Sequence, residues 1–400
     1  MSENHKKYLT LFSLYIAQSV PMSFFTTVIP VLMRQENYSL ELIGLVQLIK
    51  LPWAIKFLWA PLVDKAGGSP GNYRKIIFRS EMFYALIILL IGFFNMESNL
   101  SLILFLMVIA IAASATQDIA TDAFAIKILS TEERGLGNSM QSAGGFLGAL
   151  LGSGVLLIVY NYFGWRYLFM GLALFVVAAL IPLYFYRTAP ERPEEKTGKA
   201  IRMNDLLLFF TQKGITRRIL LLLLYYSGIV GIMAMLKPWL IDMGLSVSQI
   251  GFVSGIFGTA MGAIFAFIGG ILIRKIGRKK SIRAFAFGNG FAALSFCLIS
   301  LGNVTIAGIY IVTGLIWVSY SMSTVVIYTI SMDIVRKGRE GTDFTIQIVI
   351  TQIGSLIMAV LSGKFAGFFS YTHLFFASLI LAVVNIIAVR FLYHDPPQKT

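Results

Sequence analysis

Residues 101–130 read SLILFLMVIAIAASATQDIATDAFAIKILS. The run is apolar from its start to Ala115 apart from two serines, and it then carries two aspartates, Asp118 and Asp122, before any loop signal. A helix rises 1.5 Å per residue, so about 20 apolar residues cross the hydrocarbon core of a bilayer. The stretch therefore reads as a membrane helix, 100–128, with ionisable groups inside it. Such groups are costly in lipid and are functional candidates by default. Asp118 and Asp122 stand four residues apart and share one helix face, with Gln117 beside it.

Further out, the same pattern repeats. Of 400 residues 57% are apolar and only 13% charged, with a mean hydropathy of +0.78; a soluble domain carries roughly 25% charged residues. Apolar runs between polar breaks fall at 8–33, 41–63, 76–95, 100–128, 137–160, 165–187, 216–242, 248–274, 280–301, 304–333, 342–368 and 371–393. The first run lacks a small-residue cleavage site and reads as a retained helix instead of a cleaved signal. Cys297 is the only cysteine and the three histidines (His5, His373, His394) are scattered. No cofactor or metal is expected, and no HExxH, P-loop or GxSxG pattern points to an enzyme or an ATP-driven pump.

The formal charge of +14 is explained by its distribution. With the N-terminus inside, 27 of the 33 basic residues fall on inner segments and four (Arg34, Arg166, Lys237, Lys364) on outer ones. That asymmetry is the positive-inside rule, with both termini cytoplasmic and no call for nucleic acid. The polar stretch 188–215 carries Pro190, Pro193 and alternating charges, and it falls near the middle. It reads as a cytoplasmic linker between an N-terminal six-helix bundle (1–187) and a C-terminal one (216–400). Duplicated halves related by an axis along the membrane normal are the expected architecture. The expected class is thus an all-α integral membrane protein, twelve helices in two six-helix bundles, monomeric in the lipid bilayer.

The halves echo each other. After the second run stands Pro61-Leu62-Val63-Asp64-Lys65, and after the eighth Arg274-Lys275-Ile276-Gly277-Arg278-Lys279-Lys280. The second resembles the loop signature of the major facilitators, and the first is a degenerate copy. Asp64, Arg274, Gly277 and Arg278 are the expected conformational gate, or simply a tight, positively charged turn. Glu133-Arg134-Gly135 and Arg339-Glu340-Gly341 form a second corresponding pair. Glycines 144, 148 and 152, and 251, 255, 258 and 262, have the spacing that lets helices cross closely.

Counting from the outer ends of runs two and four puts Lys56 and Asp118 at similar depth, with Asp122 about one turn lower. Lys56, Asp118 and Asp122 are the expected proton-coupling cluster, the alternative being a static ion pair. Asp333, at the inner end of run ten, joins them or acts as a gate or helix-end pair. Lys50 lies nearer the midplane without an evident acidic partner, which suits an anionic substrate group, or else it snorkels to the surface. Gln18, Gln117 and Gln141, with Tyr225, Tyr226, Gln347 and Gln352 in the second half, are candidate substrate contacts; each is also a plausible helix–helix hydrogen bond.

Two segments are more specific. Lys56-Phe57-Leu58-Trp59-Ala60-Pro61-Leu62-Val63-Asp64 and Ala115-Thr116-Gln117-Asp118-Ile119-Ala120-Thr121-Asp122-Ala123 resemble the AmpG-type muropeptide permeases and the related acetyl-CoA transporter group. They match those families' K-F-L-W-x-P-L-x-D and A-T-Q-D-I-A-x-D-A patterns. The likeness covers roughly residues 40–150. It implies a secondary transporter, a proton-coupled symporter importing a bulky polar or anionic solute, of anhydro-sugar peptide type, across the bacterial inner membrane by alternating access. Gly341-Thr342-Asp343-Phe344-Thr345-Ile346-Gln347 resembles instead siderophore permeases of the RhtX/FptX type, which leaves a siderophore importer as the alternative. An integral-membrane enzyme would need a histidine–carboxylate or metal constellation that the runs do not supply.

Overall fold

The computed structural model describes residues 3–186, 202–302 and 304–393; residues 188–201 of the expected linker lie outside them. All regular structure among the described residues is helical. In chain order the long helical segments are α1 (His5–Gln35), α2 (40–66), α3 (Pro70–Ile91), α4 (Met96–Ile128), α5 (134–163) and α6 (165–185). The second set is α7 (Ile215–Asp242), α8 (Val247–Ile276), α9 (Arg278–Leu301), α10 (Ile306–Asp333), α11 (Glu340–Phe368) and α12 (Tyr371–Leu392). Nine described helices, or ten with the bent α2, are long and apolar enough to cross a membrane. One of the nine is a 52-residue run, Arg134–Phe185. At about 78 Å it is far too long for one crossing. It turns at Gly164, whose φ of 74° lies in the region that favours glycine. Counted as α5 and α6, and with the charge-bearing α3 added, the helices are consistent with twelve crossings.

Local chemistry sets the boundaries. Ser39, Ser69, Asn95, Ser246, Thr305 and Ser370 open α2, α3, α4, α8, α10 and α12, each accepting a backbone N–H of the first turn. Ser246 and Gln249 complete a reciprocal capping box. Prolines and irregular turns shape α2. Pro52 and Pro61 each stand just inside a helical piece, 3₁₀ turns fall at Gln47–Lys50 and Lys56–Leu58, and the axis bends by 57°. A π turn at Phe24–Val28 interrupts α1, and others interrupt α5 and α8.

The described chain forms two compact units. The first contains Met1–Ser130, Gly144–Leu206 and Val335–Thr345; the second contains Thr131–Ala143, Leu207–Ile334 and Ile346–Thr400. In the first, Phe24, Phe25, Trp165 and Phe169 interlock at centroid distances of 4.5–6.3 Å within a continuous apolar core. In the second, Trp239, Phe296 and Phe375 form a three-ring cluster at 5.1–5.7 Å.

The first glycine stripe is a packing surface. Gly144 abuts Tyr15 Cβ at the distance of a tight contact (3.0 Å from an added Cβ), and a Cβ on Gly148 or Gly152 would collide with Ser19 or Val20. Of the second stripe, Gly251 and Gly255 face open space, while Gly258 receives the edge of Trp317. Gly148→Val is therefore expected to push α1 and α5 apart and destabilise the protein by about 1–3 kcal/mol. A fall in the detergent melting temperature checks this, with Gly255→Val as the unaffected control.

Candidate functional site

The first unit gathers the in-membrane charges. Lys56 sits in the 3₁₀ turn of α2, where the helix is broken, and its ammonium forms an ion pair with Asp118 Oδ2 of α4. Both groups are almost wholly out of solvent, at 1% and 2% exposure. An isolated charge at that depth would be untenable, so each is present because of the other. Gln18 Nε2 of α1 donates to the second carboxylate oxygen, Asp118 Oδ1, at 2.9 Å. Asp122, one turn on, accepts from the Tyr15 hydroxyl at 2.7 Å. The expected cluster thus divides: Lys56 joins Asp118, and Asp122 turns to α1.

Beside this pair lies a cavity of about 400 Å³, lined by Gln18, Ser19, Ser23, Thr26, Thr27, Lys50 and Trp53, among others. Lys50 is its one ionisable lining residue, and among the described residues it has no acidic partner. The hydroxyls of Ser19, Ser23 and Thr26 donate to backbone carbonyls of Tyr15, Ala149 and Met22 (2.7–3.0 Å), so their oxygens are left as acceptors. The cavity is tied to the charge pair from two sides. Gln18 lines it and holds Asp118, while Trp53 lines it and carries the Lys56 ammonium 4.3 Å above its ring.

The loop motifs engage as two separate networks. In the first unit the buried Asp64 accepts from Tyr73 Oη (2.7 Å), Gly341 N (2.9 Å), Thr342 N (2.7 Å) and Thr342 Oγ1 (2.6 Å). A carboxylate thereby caps the first turn of α11, where helix N–H groups lack partners and the helix dipole is positive. Gly341 is needed there: a Cβ would stand 2.8 Å from Asp64 Oδ1. Nearby, Lys127 pairs with Glu340 at 3.4 Å, and Arg336 chelates Asp343. Asp205 takes a bond from Arg339 at 2.7 Å. Burial pushes the Asp205 carboxyl up, but Arg339 and Arg336 more than offset it and hold it below the usual carboxylate range.

In the second unit Asp333 lies between two arginines, Arg134 Nη1 at 2.8 Å and Arg278 Nε at 2.9 Å. Arg278 also donates to the Thr131 carbonyl. Gly277, with φ 80° and ψ 165°, makes the turn that aims Arg278 there. Gly135 lets the Gly270 backbone approach, matching Gly341 in the other half. Arg274 is exposed and joins neither network.

The remaining candidates scatter. Gln117 is fully buried with both amide atoms lacking a partner. Gln141 is half-buried in the second unit and Gln352 is exposed. The Tyr225 hydroxyl donates to the Ile282 carbonyl at 2.9 Å, and the Tyr226 hydroxyl is buried beside Thr324. Gln347 accepts from Arg218 Nε at 2.9 Å.

Two ionisable groups escaped the sequence reading. Arg218, 7% exposed, is held by Gln347 and by Ser331 Oγ (2.6 Å), with no acidic partner among the described residues. Glu81 of α3 is completely buried. Its signal was available, an acid inside the apolar run 76–95.

The described helices are consistent with twelve crossings, and they carry two loop networks and a cavity with one lysine in its lining. The Major Facilitator Superfamily model matches residues 11–342 and 219–400, and the chain belongs to that family of membrane transporters. It is 24% identical over 389 residues to the anhydromuropeptide permease of Escherichia coli strain K12, covering 94% of this chain and 78% of that one. Its fold is similar to that of FucP, a major facilitator transporter crystallised in the outward conformation (TM-score 0.72, 15% identity, 98% and 100% coverage). It is also similar to a bacterial homologue of the iron transporter ferroportin in an outward-facing state (TM-score 0.70, 16% identity, 98% and 99% coverage).

Proposed function

We propose that this chain is a proton-coupled symporter that imports a bulky, hydroxylated, anionic solute across the bacterial inner membrane, with both termini in the cytoplasm. An anhydromuropeptide is the first candidate cargo, on the likeness to the permease of that name and the two matching motifs. The observation that carries the reading is the double tie between the cavity and the Lys56–Asp118 pair. The cavity volume is within the range of small-molecule sites. Lys50 supplies one positive charge for an acidic group, and the acceptor oxygens of Ser19, Ser23 and Thr26 suit a solute rich in hydroxyl and amide donors.

Coupling follows from the shared residues. Ionised Asp118 holds Lys56 and draws the Gln18 amide N–H towards itself. A proton on Asp118 removes the counter-charge from Lys56 and turns one oxygen into a donor, for which the Gln18 carbonyl oxygen is the natural acceptor. Gln18 and Trp53 then present different faces to the cavity. Asp64 and Asp333, each ending a helix network, are assigned to the gate: alternating access requires their bonds to break and re-form. The siderophore alternative draws on residues 341–347. There Gly341 and Thr342 hold Asp64, and Gln347 holds Arg218, so the likeness in that segment concerns packing more than cargo.

Uptake of radiolabelled anhydromuropeptide into right-side-out vesicles, with and without an imposed pH gradient, tests the reading. Lys50→Gln is expected to raise KM about tenfold or more, since about 1.4 kcal/mol is one decade, with Vmax little changed. Accumulation indifferent to the gradient, or a Lys50→Gln protein with unaltered KM, would overturn it; competition by a ferric siderophore would redirect it.

A further inference from the structure

Glu81 is a carboxyl that no motif explains. It is wholly buried in α3, and neither of its oxygens has a hydrogen-bond partner. No cation pairs with it among the described residues. The cations of its own helix are occupied or turned away. Arg74 donates to the Tyr184 carbonyl, and Lys75 and Arg79 are exposed.

Of the cations on the helices packed against α3, Lys56 is held by Asp118 and Lys127 by Glu340. From α2, Asp64 is tied to Tyr73 and the first turn of α11, and Lys65 is exposed. From α6, Arg166 sits over the Phe93 ring at the far end of α3, and Tyr167 and Tyr184 are exposed. From α4, Asp118 and Asp122 are themselves acids. An ionised carboxylate with neither donor nor cation in an apolar interior is too costly to persist, and such a group takes up a proton instead.

The surroundings are polar but neutral. Tyr84, one turn along α3, has its hydroxyl within hydrogen-bonding reach of the Ser114 hydroxyl of α4. On α4, Gln117 and Thr121 continue the series, with orphaned polar atoms. Ser114, Gln117, Asp118 and Thr121 fall at i, i+3, i+4 and i+7, one stripe of the helix. Orphaned buried polar atoms are rare in native interiors, and here Glu81, Gln117 and Thr121 carry them on the two neighbouring helices. Glu81 lies about 16 Å along α3 from its inner end, and Asp118 about 15 Å from the inner end of α4, at 1.5 Å per residue. Two acids therefore stand at one level on neighbouring helices, one ion-paired and one bare.

We propose that Glu81 is a second proton-binding site of the carrier, protonated while Asp118 is ionised against Lys56 and yielding its proton when Asp118 becomes neutral. This rests on the proton-coupling reading above and deepens it. In the balanced step the Glu81 O–H bond breaks and an O–H bond forms on Asp118, so one carboxylic acid and one carboxylate are present before and after. Lys56, released by neutral Asp118, is the cation then available to the new carboxylate.

Infrared difference spectroscopy on the full-length protein in lipid tests this without any substrate. The wild type is expected to show the carbonyl band of a protonated carboxylic acid at neutral pH, and Glu81→Gln to lack it. Asp118→Asn, which mimics neutral Asp118, is expected to lose most of the same band. A band that survives Glu81→Gln, or one that keeps full strength in Asp118→Asn, overturns the proposal. Glu81→Asp keeps the acid and is expected to retain the band, which separates loss of the proton from loss of the fold. Gradient-driven anhydromuropeptide uptake is measured in parallel. Uptake by wild type that ignores the gradient sinks the coupling reading whatever the spectra give. Gradient dependence in Glu81→Gln equal to wild type overturns the role of Glu81 alone.

Discussion

Asp118→Asn is expected to cut gradient-driven accumulation by about two orders of magnitude or more and to leave a protein less stable than the wild type. Asparagine keeps an oxygen for the Gln18 amide but loses both the negative charge and the titratable proton. Lys56, 1% exposed, is then a buried ammonium that has lost the carboxylate it touches. Breaking a buried pair from one side costs about 3–5 kcal/mol, far more than the net worth of the pair. The double variant Lys56→Met, Asp118→Asn removes the stranded charge, so its melting temperature is expected to recover most of the loss. Its gradient-driven uptake is not expected to recover, because no titratable group remains at the pair. Melting curves and vesicle uptake on all three proteins form a double-mutant cycle. A double variant that accumulates solute against a gradient like wild type would reduce the pair to a structural tie.

Asp64→Asn carries the second large effect. Tyr73 Oη and Gly341 N converge on Oδ1, and Thr342 N and Oγ1 on Oδ2. An amide has a single carbonyl oxygen, so whichever way it is turned its NH₂ faces two donors. The buried donors left unmatched, together with the lost charge at a helix N-terminus, amount to about 1–3 kcal/mol. If the network acts as a gate, the cost appears in turnover: uptake is expected to fall at least tenfold while KM shifts little. Transport and melting temperature both at wild-type values would remove Asp64 from the machinery. Gly341→Ala, whose Cβ would press on the same carboxylate, is expected to produce the same phenotype in weaker form.

Reading these sites from sequence succeeded where a short-range rule applied. The helical rise aligns Lys56 with Asp118 because both positions can be counted from the ends of their own runs, and the ion pair follows. The aspartate and arginine of the loop motifs were visible for the same reason, but their partners were not. Asp64 meets residues 277 and 278 positions away, and Arg278 meets Asp333 55 positions away, distances that no local pattern encodes. Arg218 was counted as an inner-loop cation because a charge census registers position along the chain and not burial. Glu81 sits two residues from Arg79 near the inner end of run 76–95, where position alone reads it as a wet helix end. The Ser19 and Ser23 hydroxyls of the cavity depend on which face of α1 turns inward, which an apolar run does not announce. Tyr225 shows the converse: an aromatic hydroxyl in a span reads as a ligand contact until Ile282 is seen to accept from it.

The long separation between Asp64 and its partners sets a schedule for biosynthesis. At about 5–20 residues per second, roughly 15 to 55 s pass between synthesis of Asp64 and of the Gly341 and Thr342 groups that bond it. Through that interval only Tyr73, nine residues on, is available to hold the carboxylate. Until α11 begins, the nascent chain therefore carries a buried-to-be carboxylate with one of its four bonds made. Truncated or stalled chains that stop short of residue 341 would expose it, giving membrane quality control a charged mark by which to recognise them.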